Sequence, residues 1–101
     1  MGASSKPTLA GNVVQAVYPQ TNQSVAYTGT AGTITNTVKS SVVRVLTTTV
    51  AFVKIGVSPT ATTSDVYMPA GVVEYFRCVP GDKVSAIQSA AGGTLYVTEM
   101  D

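Results

Sequence analysis

The sequence predicts an all-β protein: a single antiparallel β-sandwich, jelly-roll-like, or a small barrel. Val, Thr and Ile account for 35 of the 101 residues, whereas Leu occurs only three times. β-Branched side chains lose rotamer freedom in helices and pack well on the surface of a sheet. No stretch of a dozen residues repeats apolar positions at helical spacing without Gly, Pro or a Thr cluster intervening. We therefore expect less than about a tenth of the chain to be helical.

Nine short strands are predicted along the chain, each rich in β-branched or aromatic residues and bounded by turn residues. They are residues 12–18, 24–28, 33–39, 41–48, 50–56, 64–68, 72–79, 83–89 and 94–99. The strands follow one another without helices, which parallel crossovers would require, so the sheets are expected to be antiparallel. Residues 1–10 are predicted to be an extended arm and residues 11–101 the β-sandwich domain. Residues 19–33 are expected to be largely irregular, and residues 57–63 (VSPTATT) an exposed loop.

Three tight turns are predicted from Gly and Pro. In residues 79–82 (VPGD), Pro and Gly occupy the central positions of a type II turn, so Gly81 is expected to have a positive φ. Residues 69–71 (PAG) form a second turn, and residues 90–93 (AAGG) are expected to close a hairpin with positive-φ glycines. Next to the first turn, Phe76 and Ile87 are expected to be buried. On that basis Phe76→Ala would cost roughly 3–5 kcal/mol.

Composition excludes several classes of function. The chain has no His, no Trp and a single Cys, and only 11% of its residues are charged. Most metal sites, His-based catalytic triads and disulfide networks are therefore excluded, and no cofactor or catalytic residue is predicted. A net charge of +1 argues against nucleic-acid binding through phosphate contacts. No apolar run reaches the length of a membrane span, and no signal-peptide core is present.

Two carboxylates are candidates for catalysis. Asp65 and Glu74 flank the turn at residues 69–71 and could face each other across a hairpin, as glycosidase acids do. Aromatic residues that would stack a sugar are scarce, which favours two solvated rim residues instead. Asp82 is explained by its turn, and Glu99 by its position near the end of the sequence. The sequence therefore favours a protein without enzymatic activity.

Cys78 and the aromatic residues have structural interpretations. Cys78 lies in an alternating apolar run and has no His to activate it, so we interpret it as a small buried hydrophobe. Five Tyr and two Phe are enough residues for a carbohydrate platform, but Tyr75 and Phe76 are expected to point to opposite faces of one strand. Packing in the core is the favoured use of these aromatic residues.

Charge is distributed unevenly along the chain. Residues 1–54 contain four basic residues and no acid, namely Lys6, Lys39, Arg44 and Lys54, whereas residues 55–101 sum to −3. The two halves can interleave as strands that pair by charge. Alternatively, the basic residues contact an acidic surface of a neighbouring subunit.

The N-terminal arm is a second candidate contact. Its residues Lys6, Pro7, Thr8 and Leu9 are too polar to join the core, and Pro7 keeps the arm extended. Such a segment adds to a sheet edge or lies in a groove, ordering on contact. The alternative is an ordinary frayed terminus. The predicted contact set is thus Lys6, Pro7, Thr8, Leu9, Lys39, Arg44 and Lys54.

The C-terminal half carries a succession of motifs with a distinctive order. These are VRV at residues 43–45, AFVKIG at 51–56, YMPAG at 67–71, PGDKV at 80–84 and GTLYVTEM at 93–100. This order, covering roughly residues 41–101, resembles small virion-associated β-proteins of tailed bacteriophages, although each motif alone is ordinary turn chemistry. The resemblance implies a structural protein of a phage particle.

Within that resemblance, the favoured expectation is a capsid decoration (cement) protein. Such a protein binds across subunits of the major capsid protein, assembles as a homo-oligomer, and reaches the virion surface after synthesis in the host cytoplasm. The alternatives are a tail or head-fibre component that contacts a saccharide of the host surface, or a head–tail connector subunit. Composition favours decoration, because a receptor-binding module is expected to expose Trp/Tyr clusters and a connector usually needs more helix.

Overall fold

Eight β-strands form the part of the chain that the computed structural model describes, residues 19–100. They are β1 (Pro19–Tyr27), β2 (Gly32–Thr33), β3 (Val42–Thr47), β4 (Ala51–Gly56), β5 (Val66–Met68), β6 (Glu74–Arg77), β7 (Lys83–Gln88) and β8 (Gly93–Met100). No helix occurs in this range, so the all-β prediction is confirmed. The predicted arm and the predicted strand at residues 12–18 lie outside the described residues.

The strands form two antiparallel four-stranded sheets. Sheet A has the order β1-β8-β3-β6 and sheet B the order β2-β7-β4-β5. Only β4 and β5 are consecutive strands that pair with each other; each other connection between consecutive strands crosses to the opposite sheet. Two four-stranded sheets with this strand order make a jelly roll. The predicted β-sandwich of jelly-roll type is therefore confirmed over residues 19–100.

The core lies between the two sheets and is filled by alternate residues of each strand. In β3, Val43, Val45 and Thr47 point inward and are fully buried. The remaining core side chains come from both sheets and from residues 34–38: Tyr27, Ile34, Val38, Ala51, Val53, Met68, Cys78, Val84, Ala86, Leu95 and Val97. The predicted interpretation of Cys78 as a buried hydrophobe is confirmed.

Most predicted strands from residue 41 onward are confirmed, although the predicted strand at residues 72–79 is observed only at 74–77. The N-terminal predictions are less accurate. Residues 19–33 are not mainly irregular, because β1 pairs with β8 along most of its length. The predicted strand at residues 33–39 is wrong beyond Thr33. Instead, isolated backbone hydrogen bonds, among them Ile34 N–H to Val84 O (3.0 Å) and Val38 N–H to Asp82 O (2.8 Å), hold two side chains in the core.

The hairpin predicted at residues 90–93 is wrong. Strands β7 and β8, which it connects, belong to different sheets. The glycines with positive φ in the described residues are Gly71 and Gly81, and neither belongs to this turn. The turn at residues 79–82 is confirmed: Asp82 N–H donates to Val79 O at 2.9 Å, and Gly81 has φ 104°. A local turn signal therefore identified where the chain reverses but not which sheet it enters.

The loop at residues 57–63 is only partly exposed, which corrects the prediction. Pro59 and Ala61 are buried against the outer face of sheet B. Ser85 is fully buried beneath the loop, and its hydroxyl oxygen accepts the Ala61 N–H at 3.0 Å. The Thr33 hydroxyl lies 3.0 Å from Ser85 Oγ and 3.2 Å from Pro59 O. These contacts attach the loop to β2 and β7.

Phe76 and Ile87 are half-buried, so the prediction that both are buried is wrong. Phe76 faces the interior, but it lies on β6 at the edge of sheet A. Ile87 alternates with the inward-facing Ala86 and thus lies on the outer face of β7. The sequence could not predict that an inward-facing residue at an edge remains uncovered. Phe76→Ala should accordingly cost less than the ~3 kcal/mol typical of a fully buried aromatic residue.

Gly81→Val is expected to destabilise the protein by more than ~1 kcal/mol, because a β-branched residue is strained at φ 104°. A Cβ at Gly81 would meet no atom within 4 Å, so the cost is one of backbone conformation. Gly56→Val is the matched control, since the space around Gly56 is equally open and its φ is not positive. The midpoint of urea denaturation is measured for both variants and for wild type. Equal midpoints for Gly81→Val and wild type would contradict the turn assignment.

Candidate functional site

The two candidate catalytic carboxylates do not share a hairpin. Asp65 precedes β5 in sheet B, whereas Glu74 begins β6 in sheet A. Asp65 Oδ2 accepts the Thr62 N–H at 2.7 Å and lies 3.2 Å from the Thr62 hydroxyl. Its carboxylate therefore stabilises a turn of the loop. No group of three or more His, Cys, Asp or Glu side chains suited to a metal ion occurs in residues 19–100.

Cys78 is chemically quiet. Its thiol is buried and donates to Ser40 O at 3.3 Å. Burial raises the pKa of the thiol, and the negative charges of Asp82 and Glu99 raise this pKa further. Because the thiolate is the nucleophile, a raised pKa disfavours both covalent catalysis and metal ligation at this position.

Alkylation of Cys78 by iodoacetamide should be much slower in the folded protein than in urea at mildly alkaline pH. A Cys78→Ser, Ser89→Cys variant is the control, because residue 89 is exposed. The pKa of the Cys78 thiol is also higher in the folded protein than in the unfolded chain. The free energy of unfolding should therefore fall as pH rises from the ordinary thiol pKa through the raised one. Equal alkylation rates in the folded and unfolded wild type would contradict this account.

Glu99 has a structural role that the sequence did not predict. Only 7% of its surface is exposed, and its Oε1 accepts the N–H groups of Lys39 (2.7 Å) and Ser40 (3.2 Å). Leu95, Val97 and Glu99 alternate along β8 and all face the interior. This alternation in the sequence could have predicted that Glu99 faces the interior. Instead, Glu99 was explained by its position near the end of the sequence.

The predicted contact residues occupy different surfaces. Lys6, Pro7, Thr8 and Leu9 lie outside the described residues. Lys39 is exposed in the segment between β2 and β3. Arg44 alternates with Val43 and Val45 and points outward from sheet A, whereas Lys54 follows the inward-facing Val53 and is exposed on sheet B. The fold thus separates Arg44 and Lys54 onto opposite faces of the sandwich.

The outer face of sheet A brings Arg44 together with residues that the sequence did not single out. Arg44 lies opposite Tyr75 on β6, and Leu46 lies opposite Tyr96 on β8. Arg77 follows Tyr75 by two residues and shares its face. Tyr75 and Tyr96 are 55% and 44% exposed. We call these five residues the basic face.

No carboxylate of residues 19–100 belongs to the basic face. Glu74 and Glu99 lie opposite the inward-facing Val45 and Val43, and so point toward the interior. Asp65 and Asp82 lie in connections between strands. The basic face therefore combines two guanidinium groups and two exposed phenol rings without a neutralising acid, an arrangement suited to an acidic partner.

The prediction that the aromatic residues serve core packing is wrong for three tyrosines. Tyr67, Tyr75 and Tyr96 are exposed, and Tyr67 packs edge-to-face on Phe52 of the outer face of sheet B, with ring centroids 5.9 Å apart. Tyr27 is buried as expected. Alternation along a strand separates two faces but does not say which one becomes the interior.

An open cleft of about 320 Å³ lies on one side of the sandwich, where strands β5 and β6 form the edges of their sheets. Its lining consists of Val53, Lys54, Ile55, Asp65, Val66 and Phe76. Apolar side chains form most of its wall, and one cation and one anion lie beside them.

No helix of the described residues is long and apolar enough to cross a membrane. Comparison with protein-family models, curated proteins and solved structures finds no match to this chain.

Proposed function

We propose that this protein is a non-enzymatic structural protein of a bacteriophage virion, most specifically a decoration protein that binds across major capsid protein subunits. The resemblance of residues 41–101 to small virion-associated β-proteins supports a place in a phage particle. The jelly roll is compatible with this role, since viral capsid domains use it, but lectins and cupins use it as well. A surface rather than the fold must therefore distinguish among these roles.

The basic face is the observation that carries the proposal. It lies on a four-stranded sheet, and Arg and Tyr are residue types enriched at the centres of protein interfaces. Of the predicted contact residues within residues 19–100, Arg44 is the one that belongs to it, beside Tyr75 and Thr98 in the register of sheet A. With two arginines and no carboxylate, the face favours an acidic protein surface over a basic one. An acidic surface formed where capsid subunits meet would provide that complement.

The exposed tyrosines support a second candidate function. Tyr67, Tyr75 and Tyr96 provide phenol rings at the surface, which a tail or head-fibre component could use to bind a host saccharide. Tyr67 lies on the face opposite to Tyr75 and Tyr96, so at most two of the three rings can serve one ligand. The basic charge around those two favours an acidic partner, and capsid decoration remains the first proposal.

Arg44→Glu should weaken binding to undecorated capsids by at least about tenfold, because it places like charge against an acidic surface. Lys83→Glu makes the same change in net charge on strand β7 of the opposite sheet, outside the cleft, and should bind like wild type. Cosedimentation with capsids at several salt concentrations measures both, and wild-type affinity should fall as salt rises. Equal affinities of the two variants, or no capsid binding by wild type, would contradict the proposal.

The arm residues Lys6, Pro7, Thr8 and Leu9, together with Lys39, remain proposed contacts of the same complex. Lys54 was predicted with them but is not part of this proposal, because it lies on the face opposite to Arg44. Deleting residues 2–9 should leave the thermal midpoint of the free protein nearly unchanged and weaken capsid binding. Full occupancy and affinity of the truncated protein on capsids would show that these arm residues are not needed for attachment.

A further inference from the structure

Exposed large hydrophobic residues are concentrated at the edge of the sandwich that β5 and β6 form. Four of the seven large hydrophobic residues that are exposed within residues 19–100 lie on or between β5 and β6, namely Val66, Tyr67, Val72 and Tyr75. Together with the half-buried Phe76, we call them the β5–β6 edge. Such clustering marks a surface that binds a partner, whereas scattered single residues would need no explanation.

The core is incompletely covered at the β5–β6 edge. Val66 lies opposite the inward-facing Val53, yet 51% of its surface is exposed. Phe76 lies opposite Val43, which is fully buried, but Phe76 itself is only half-buried. Both side chains line the cleft of about 320 Å³. Residues that point toward the interior are thus left in contact with solvent.

Strand β6 also has an unpaired backbone edge. It pairs with β3 on one side and has no neighbour on the other within the described residues. Its sequence EYFR contains no Pro and no Lys, and its two charged residues, Glu74 and Arg77, lie at the ends of the strand. The opposite edge of sheet A is different: β1 has an irregular register between Pro19 and Asn22 and continues through polar residues. Of the two edges of sheet A, β6 is therefore the one suited to pairing.

We propose that the β5–β6 edge binds a second copy of this chain, with the two β6 strands pairing antiparallel about a two-fold axis. The outer faces of the two copies form one continuous surface only if each residue of one β6 strand lies opposite a residue of the other strand that points to the same face. Pairing centred on Phe76 meets this condition. It places Tyr75 of each copy beside Arg77 of the other, and it brings the two Phe76 rings together over the clefts.

The charges of this edge favour a second copy over an unrelated protein. The cleft carries both Lys54 and Asp65, and a two-fold axis presents the anion of one copy to the cation of the other. The two-fold axis likewise forms two cation–π contacts, each between Tyr75 of one copy and Arg77 of the other. A partner with net charge of either sign would match only half of this pattern. Self-complementarity is the property that a two-fold interface requires.

Self-association of this kind is independent of the proposed capsid role, although it would join two sheets A into one eight-stranded sheet and thereby double the basic face. It is measured on the isolated protein. Sedimentation equilibrium over a wide range of protein concentrations should show a reversible monomer–dimer equilibrium. A monomer at all concentrations, or a species larger than a dimer, would overturn the proposal.

Tyr75→Lys and Val66→Lys should each raise the dimer dissociation constant by at least about tenfold, because each places a charge in the apolar interface. Tyr96→Lys is the matched control: it removes an exposed tyrosine from β8, away from the edge, and should leave the dissociation constant unchanged. Urea midpoints verify that each variant is folded. If Tyr75→Lys and Val66→Lys dimerise like wild type, or if Tyr96→Lys disrupts the dimer equally, the assignment of the edge is wrong.

The register is tested with a Tyr75→Cys, Arg77→Cys variant in a Cys78→Ser background. Directly opposed residues of antiparallel strands approach closely enough for a disulfide. Mild oxidation should give a covalent dimer in which position 75 of one copy is linked to position 77 of the other, identified by peptide mapping. Links of 75 to 75 or of 77 to 77 would overturn the register centred on Phe76.

Discussion

Replacing Tyr27 by Ala should lower the free energy of unfolding by about 3–5 kcal/mol. The ring is 1% exposed at the end of β1 and packs in the common core of both sheets. Its hydroxyl donates to Thr49 O at 2.9 Å, accepts the Thr49 N–H at 3.1 Å and lies 2.8 Å from Thr49 Oγ1. Truncation therefore leaves a cavity and also releases the connection between β3 and β4. Urea denaturation followed by circular dichroism measures the loss.

Two further variants separate the contributions of Tyr27. Tyr27→Phe keeps the ring and removes only the hydroxyl, so it should cost about 1–2 kcal/mol. Tyr75→Ala removes a ring that is mostly exposed and should change the unfolding free energy of the monomer little, measured at concentrations where no dimer forms. A loss below about 1 kcal/mol for Tyr27→Ala would show that this ring is not a principal part of the core.

Glu99→Ala should lower the free energy of unfolding by about 3 kcal/mol, because two backbone N–H groups lose a charged acceptor in a sheltered position. Those donors belong to Lys39 and Ser40, in the segment that leads into β3. Their loss should loosen this segment, and hydrogen exchange of the two amides should accelerate with it. Urea denaturation and hydrogen exchange measured by NMR give the two readouts.

Glu99→Gln is the matched control, since both hydrogen bonds are accepted by the single oxygen Oε1, which an amide also supplies. This variant should lose about 1 kcal/mol and retain the protection of both amides. If Glu99→Ala is as stable as wild type, or if the Lys39 and Ser40 amides exchange as slowly as before, the buried carboxylate does not anchor the segment.

The two proposed surfaces of the molecule are compatible. The basic face covers the outside of sheet A, whereas the β5–β6 edge lies at its margin, and Tyr75 contributes to both. Pairing two sheets through β6 would leave the half-buried Arg44 and Leu46 and the exposed Tyr96 of each copy uncovered on one continuous surface. A dimer would then present two copies of the basic face together, which raises the avidity for a repetitive surface such as a capsid.

Local chemistry in the sequence predicted much of the fold. The frequency of Val and Thr predicted strands, and Pro80 followed by Gly81 predicted a turn whose central glycine has φ 104°. Cys78 was predicted to be buried from its alternating apolar neighbours. These predictions succeed because strand propensity and turn geometry depend on residues that are adjacent in the chain.

Only the tertiary structure determined which surfaces are available for function. In the sequence, strands β5 to β8 resemble successive hairpins. In the structure, each connection between them crosses from one sheet to the other, and this crossing separates Asp65 from Glu74. Long-range pairing likewise set which alternate residues face inward, burying Glu99 and exposing Tyr75 and Tyr96. Alternation in a strand is symmetric between its two faces, so one strand cannot specify its own interior. The basic face and the β5–β6 edge depend on how the eight described strands pack together, and the sequence of a single strand does not determine that packing.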